Sequence, residues 1–110
     1  MLLKEIMEIL DAEAVVNCDG DMEIKSVCSC DLMSDVLAFV KEQSMLLTGL
    51  NNVQTIRTAE MMDMHAVVLV RGKTPEKEVV ELAKEKGIAL LKTGLTMFVA
   101  AGRLYGGLNK

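Results

Sequence analysis

The chain has no tryptophan, one tyrosine, two phenylalanines, one histidine and one proline. Aromatic residues make up 3% of it, too few for the stacking platforms that hold single-stranded nucleic acid. It has no basic excess either, with 12 Lys and Arg against 16 Asp and Glu and a net charge of −4, which removes the electrostatic footprint of a nucleic-acid binder. No apolar run approaches the roughly 20 residues that a membrane-spanning helix needs, so no membrane contact is expected. The cysteines, Cys18, Cys28 and Cys30, are odd in number, and the opening Met1-Leu2-Leu3-Lys4-Glu5-Ile6 becomes charged too early for a secretory signal. Free thiols in a reducing, cytoplasmic setting are expected.

What is present is a core. Hydrophobic residues make up 51% of 110 residues, which suits one domain over 1–110 that needs no disulfide or metal staple. Leu2, Leu3, Ile6, Ile9 and Leu10 recur at helical spacing, and residues 13–17 read as a short strand. Cys18-Asp19-Gly20-Asp21 is a turn, and 23–30 alternates as a strand with one imperfect step. Asp31 or Ser34 is placed to cap a helix through Leu32, Val36, Leu37, Phe39 and Val40, ending in Lys41-Glu42-Gln43.

The remainder is more regular. Apolar runs at 44–48, 66–70 and 88–92 alternate with helical segments at 53–62, 75–86 and about 95–104. Asn51 or Asn52 can cap the first of these helices; Thr74 as N-cap with Pro75 at the first helical position opens the second, and Gly87 ends it. Strands apolar at every position are expected where helices cover both faces of a parallel sheet. The fold class is therefore α/β, a three-layer α/β/α sandwich with a mostly parallel sheet. The nine methionines suit core and interface filling.

Each late strand ends in a small polar turn: Thr48-Gly49-Leu50-Asn51-Asn52, Arg71-Gly72-Lys73-Thr74 and Thr93-Gly94-Leu95-Thr96. Ligands of open parallel sheets bind beyond the carboxyl ends of the strands, where helix amino termini present N–H groups. Thr48, Gly49, Asn51, Asn52, Arg71, Gly72, Lys73 and Thr93 thus form a candidate rim for a nucleotide or another anion. Ordinary turn and cap chemistry accounts for the same residue types.

Other motifs carry less. Gly72-Lys73-Thr74 has the ending of a P-loop, but the glycine required five positions earlier is Val67, inside a strand. Cys28-Ser29-Cys30 on a strand puts both thiols on one face, without the spacing of a structural zinc site. His65, beside Asp63 in a turn, has no identifiable nucleophile to activate. Glu76, Glu78, Glu81 and Glu85 interleave with Lys77, Lys84 and Lys86 as a solvated, ion-paired helix face. No catalytic residue, metal ligand or cofactor is assigned.

The stretch Ala66-Val-Val-Leu-Val-Arg-Gly-Lys-Thr-Pro75, then Val79-Val-Glu-Leu-Ala-Lys-Glu-Lys-Gly-Ile88 and Leu90-Leu-Lys-Thr93, resembles the DRTGG domain family. Leu46-Leu-Thr-Gly-Leu50 and the opening amphipathic helix are similar as well. The chain departs from the family's preferred residues. Asn51-Asn52 stand where an acidic–basic pair is typical, and at Val70-Arg71-Gly72 only the glycine of Thr-Gly-Gly is kept. The resemblance implies a fold like the amino-terminal domain of HPr kinase/phosphorylase, whose P-loop lies in a separate domain. It also implies an accessory role, since such domains occur beside CBS nucleotide-sensing domains.

The expected function is a non-catalytic regulatory or protein-interaction module, not an enzyme. Homodimerisation is expected through Met97, Phe98, Ala101, Leu104 and Tyr105, and a regulatory partner protein is a further candidate. The alternative is a small-molecule sensor binding a nucleotide or other anion at the strand ends. A phosphotransferase would need a base and phosphate-binding set that the sequence does not display.

Overall fold

The apolar runs pair with one another, because burying their backbone amides obliges those amides to find partners inside the protein. In the computed structural model, which describes residues 1–39 and 44–108, the elements are α1 (Leu3–Leu10), β1 (Glu13–Val16), β2 (Ser26–Ser29), α2 (Met33–Phe39), β3 (Ser44–Thr48), α3 (Val53–Met61), β4 (Ala66–Leu69), α4 (Lys77–Lys86), β5 (Ala89–Lys92) and α5 (Met97–Leu108). They build a five-stranded sheet in the order β1-β5-β4-β3-β2. β2, β3, β4 and β5 run parallel, and β1 joins antiparallel at the β5 edge through a register shift between Ala14 and Val16.

Side-chain parity sorts the core into two layers. Met45 and Leu47 of β3, Ala66 and Val68 of β4, and Ala89 and Leu91 of β5 pack with Leu3, Ile6 and Leu10 of α1 and Ala100 and Leu104 of α5. Leu46, Val67, Leu69 and Leu90 point the other way, onto Val36 of α2, Ile56 and Ala59 of α3, and Val79 and Ala83 of α4. The expected three-layer sandwich with a mostly parallel sheet is thus what forms. The strand expected over 23–30 is shorter: β2 covers only Ser26–Ser29, Glu23 makes an isolated bridge with Leu2, and Ile24 and Val27 both pack into the α1/α5 layer.

The helix boundaries at α4 and α5 also differ from the sequence reading. α4 starts at Lys77 with Glu76 as its N-cap, so neither Thr74 nor Pro75 opens it. Asn51 holds the chain extended there: its side-chain amide donates to the Thr74 carbonyl (2.8 Å) and its oxygen accepts from the Glu76 N–H (3.2 Å). α5 starts at Met97 behind Thr96, whose hydroxyl accepts from Val99 N–H at 3.3 Å, and it runs on to Leu108 through Gly106 and Gly107. Gly107 is where α5 meets α1 closely, since a β-carbon there would come within 2.6 Å of Met1 Cε. The expected helix end at Lys41-Glu42-Gln43 lies outside the described residues.

Among the described residues, one buried side-chain group is unpaired. The Thr58 hydroxyl on α3 is sealed from solvent and has no hydrogen-bond partner. Leaving such a group unsatisfied costs about 1–3 kcal/mol. Thr58→Val keeps the shape and removes the hydroxyl, so chemical denaturation should show a protein as stable as the wild type or about 1 kcal/mol more so.

Candidate functional site

The connections decide where a crevice can open. β3 and β4 pass into α3 and α4 on one face of the sheet, whereas β5 passes into α5 on the other. The loops after β4 and β5 therefore diverge, which is the topological switch point of an open parallel sheet. A cleft of about 230 Å³ lies there, lined by Asp11, Glu13, Gly72, Lys92, Thr93 and Gly94. Much of its polar chemistry is already used. Gly72 N–H donates to the Thr93 carbonyl (2.9 Å), Lys92 pairs with Glu13 (3.6 Å), and the buried Thr93 hydroxyl donates to the Leu10 carbonyl (2.6 Å).

The other rim residues gather elsewhere, at the ends of β2, β3 and β4. Their centre is a side chain that the sequence reading assigned only as a helix cap: Asp31. One carboxylate oxygen of Asp31 accepts from Gly49 N–H (2.7 Å) and from the Thr48 hydroxyl (2.9 Å). The other accepts from Arg71 Nη2 at 3.2 Å. Lys73 Nζ donates to the Gly49 carbonyl at 2.5 Å. Thr48 and Gly49 are buried, whereas the Asp31 and Arg71 side chains are about half exposed, at 49% and 43%.

Local conformation explains why these residues meet. Arg71 and Gly72 both adopt left-handed backbone, with φ of 65° and 67°. Glycine takes this at no cost; for arginine it costs about 1–2 kcal/mol. The Arg71 turn is held by its N–H donating to Leu95 carbonyl at 2.7 Å and by the Asp31 pair. The guanidinium then lies directly over Gly49, where any β-carbon would collide with Nη2. Glycine at 49 is what lets the arginine cross from β4 to the end of β2.

Of the candidate rim, then, Thr48, Gly49, Arg71 and Lys73 come together. Asn51 bridges to the 74–76 loop. Asn52 caps α3, its side chain accepting from Gln54 N–H at 2.9 Å. Gly72 and Thr93 belong to the neighbouring cleft. Asp31 had one legible signal: it stands two residues past the end of β2, as Thr48 ends β3 and Arg71 stands two past β4, so it sits at a fourth strand end.

The Gly49 N–H bond, with the Thr48 hydroxyl and Arg71 adding to it, holds the Asp31 carboxyl below its ordinary value against a partial desolvation that raises it. The sign of the linkage follows. A depressed folded-state value gives stability that is fully present above the unfolded value near 3.9 and is lost as pH falls through the lower folded value. Wild-type thermal midpoints should therefore drop on acidification below about pH 4 more steeply than those of Asp31→Asn, in which this group cannot titrate.

A second surface is apolar. Val27, Ser29, Met97, Ala101, Gly102 and Leu104 line a groove of about 460 Å³ between α5 and the edge strand β2. Phe98 and Tyr105, two turns apart on one face of α5, line it as well, at 87% and 72% exposure. Of the five residues expected to form a contact face, Leu104 is instead mostly spent on the core, at 1% exposure.

The DRTGG domain family model matches residues 5–106, all but the ends of the chain. The chain belongs to the DRTGG domain family. A similar solved structure is that of the CBS and DRTGG domains of the regulatory region of Clostridium perfringens pyrophosphatase, complexed with its activator diadenosine tetraphosphate. The TM-score is 0.75 at 24% identity, over 94% of this chain and 45% of that one. This DRTGG chain thus shares the fold and spans just under half the length of that regulatory region. No curated protein matches it. Among the described residues, no helix of this DRTGG domain is long and apolar enough to cross a membrane, and no group of three or more His, Cys, Asp or Glu is placed to hold a metal ion.

Proposed function

We propose that this chain is a single-domain, non-catalytic regulatory module of the cytoplasm that pairs with a second copy of itself through the α5–β2 face. The groove beside α5 carries this reading. It offers a hollow lined in part by the small Ala101 and Gly102 and, projecting from its wall, an exposed aromatic, Phe98. A patch holding both knob and hollow is complementary to itself under a two-fold axis, which sets each Phe98 in the other copy's groove. Each buried aromatic anchor removes about 150–250 Å² from water. β2, at the sheet edge, lies along the same face, and a second copy would cover it. Free Cys18, Cys28 and Cys30 support a reducing compartment. Sedimentation equilibrium should find a dimer at micromolar concentration, and Phe98→Glu should give a folded monomer. A wild-type monomer at that concentration would sink the reading.

Anion sensing is the second reading, favoured by the donors that converge from Thr48, Gly49 and Arg71 on one carboxylate. Lys73 adds charge to this cluster, while Asn51, Asn52, Gly72 and Thr93 shape the loops around it. The polyphosphate activator of the related regulatory region supports phosphate as the ligand class. A ligand at 100 times its Kd stabilises the fold by about 2.7 kcal/mol. Diadenosine tetraphosphate and ATP should therefore raise the melting temperature of the wild type, and Arg71→Ala should abolish the rise.

A further inference from the structure

The cluster at the ends of β2, β3 and β4 has the composition of an oxyanion site: one backbone N–H, one hydroxyl and one guanidinium aimed at the same small volume. Every one of those donors is used by an anion that belongs to the chain. We infer that Asp31 is a tethered competitor, a resident carboxylate that fills the phosphate position of this site and yields it to an incoming phosphate group. The inference rests on the anion-sensing reading and assigns its regulation.

Four observations carry it. Asp31 reaches across from β2 to β3 to accept from Gly49 N–H and Thr48 Oγ1, rather than capping the helix that follows it. Its own side chain is 49% exposed, so the carboxylate sits at the mouth while Thr48 and Gly49 lie buried behind it. An exposed carboxylate can swing out without opening the core. Arg71 is kept in left-handed backbone with its guanidinium over a glycine, at φ 65°, a conformation that persists only where neighbours demand it. Lastly, Lys73 is bound to the carbonyl of Gly49, the residue whose N–H holds Asp31, and adds a second cation within reach of a phosphate.

The exchange follows from charge and tether. A carboxylate held on a short segment acts at an effective concentration of about millimolar or more, so weak monoanions are excluded and a multiply charged phosphate is needed to displace it. With Asp31 seated, only the fraction of molecules whose site is open binds, and the apparent Kd is raised by the inverse of that fraction. Asp31→Asn keeps an oxygen for the Gly49 N–H but removes the charge that holds Arg71.

Isothermal titration with inorganic pyrophosphate, at constant ionic strength, tests this on the full chain. Asp31→Asn should bind about tenfold more tightly than wild type, and Thr48→Val or Arg71→Gln placed on that background should cancel the gain. Asp31→Ser is the second variant should the asparagine form not fold. Wild type and variant binding with equal affinity would overturn the competitor while leaving anion sensing in place. If neither binds at millimolar pyrophosphate, both fail. A gain that survives Arg71→Gln would place binding elsewhere and overturn the assignment as well.

Discussion

Truncating Leu46 and Leu47 one at a time to alanine is expected to cost about 2–5 kcal/mol each, read as the shift in a denaturant midpoint at constant slope. The two residues are consecutive in β3, and both are fully buried. They face opposite ways. Leu46 packs with Val36, Ile56 and Val79 in the α2–α4 layer, and Leu47 with Leu3, Ile6 and Leu104 in the α1/α5 layer. In a sheet covered on one side, one of the pair would face water and its truncation would cost only a few tenths of a kcal/mol. Comparable losses at both positions report the third layer. A large loss at one and none at the other would mean that α1 and α5, or α2 to α4, do not dock as described.

The second large effect is expected at Asn17, just past β1. Its backbone is left-handed, at φ 56°. Its side-chain amide donates to the carbonyls of Ala83 (3.0 Å) and Ile88 (3.1 Å), so one side chain ties the edge strand to the carboxyl end of α4. Asn17→Ala loses two hydrogen bonds, about 0.5–1.5 kcal/mol each, and puts a β-branchless but chiral residue where left-handed backbone costs about another 1 kcal/mol. The sum is a loss of about 2–4 kcal/mol. Asn17→Gly removes the backbone penalty and keeps the hydrogen-bond loss, so it should lie about 1 kcal/mol above the alanine variant. If alanine and glycine are equal, the backbone conformation contributes nothing and the account is wrong. Melting temperatures of the two variants, measured side by side, decide it.

Asn17 and Asp31 also show where sequence reading stops. Both sit in polar turns at strand ends, and both have an ordinary local use, one as the last residue of a strand and the other as a helix cap. Their actual partners lie at residues 83 and 88 for Asn17 and 48, 49 and 71 for Asp31. A short polar side chain makes one or two directional bonds, and its composition says nothing about which distant group will stand in reach. Asn51 is a third case. Either Asn51 or Asn52 reads as the cap of α3; Asn52 takes that role, and Asn51 fixes the start of α4 instead.

The apolar runs behave in the opposite way. Their meaning is summed over many residues and needs no particular partner, so 44–48, 66–70 and 88–92 are legible as buried strands from pattern alone. The exposed Phe98 and Tyr105 fall between these extremes. Their helix is legible, but that they stand outside the core while Leu104 lies in it follows from how α5 rotates against β2 and β3.

By itself, then, the sequence determined the α/β class, the parallel character of the sheet, the helices between its strands and the strand ends at which polar residues collect. Hydrophobic periodicity is a local, redundant signal, and burial of that pattern admits few arrangements. Only the tertiary structure decided which strand ends meet. It split the candidate rim in two, sent Gly72 and Thr93 to a cleft with Asp11 and Glu13, and brought Thr48, Gly49, Arg71 and Lys73 around Asp31. The reason is geometric. Strand order sets neighbours 18 and 40 residues apart in the chain within about 3 Å, the range over which a hydrogen bond acts.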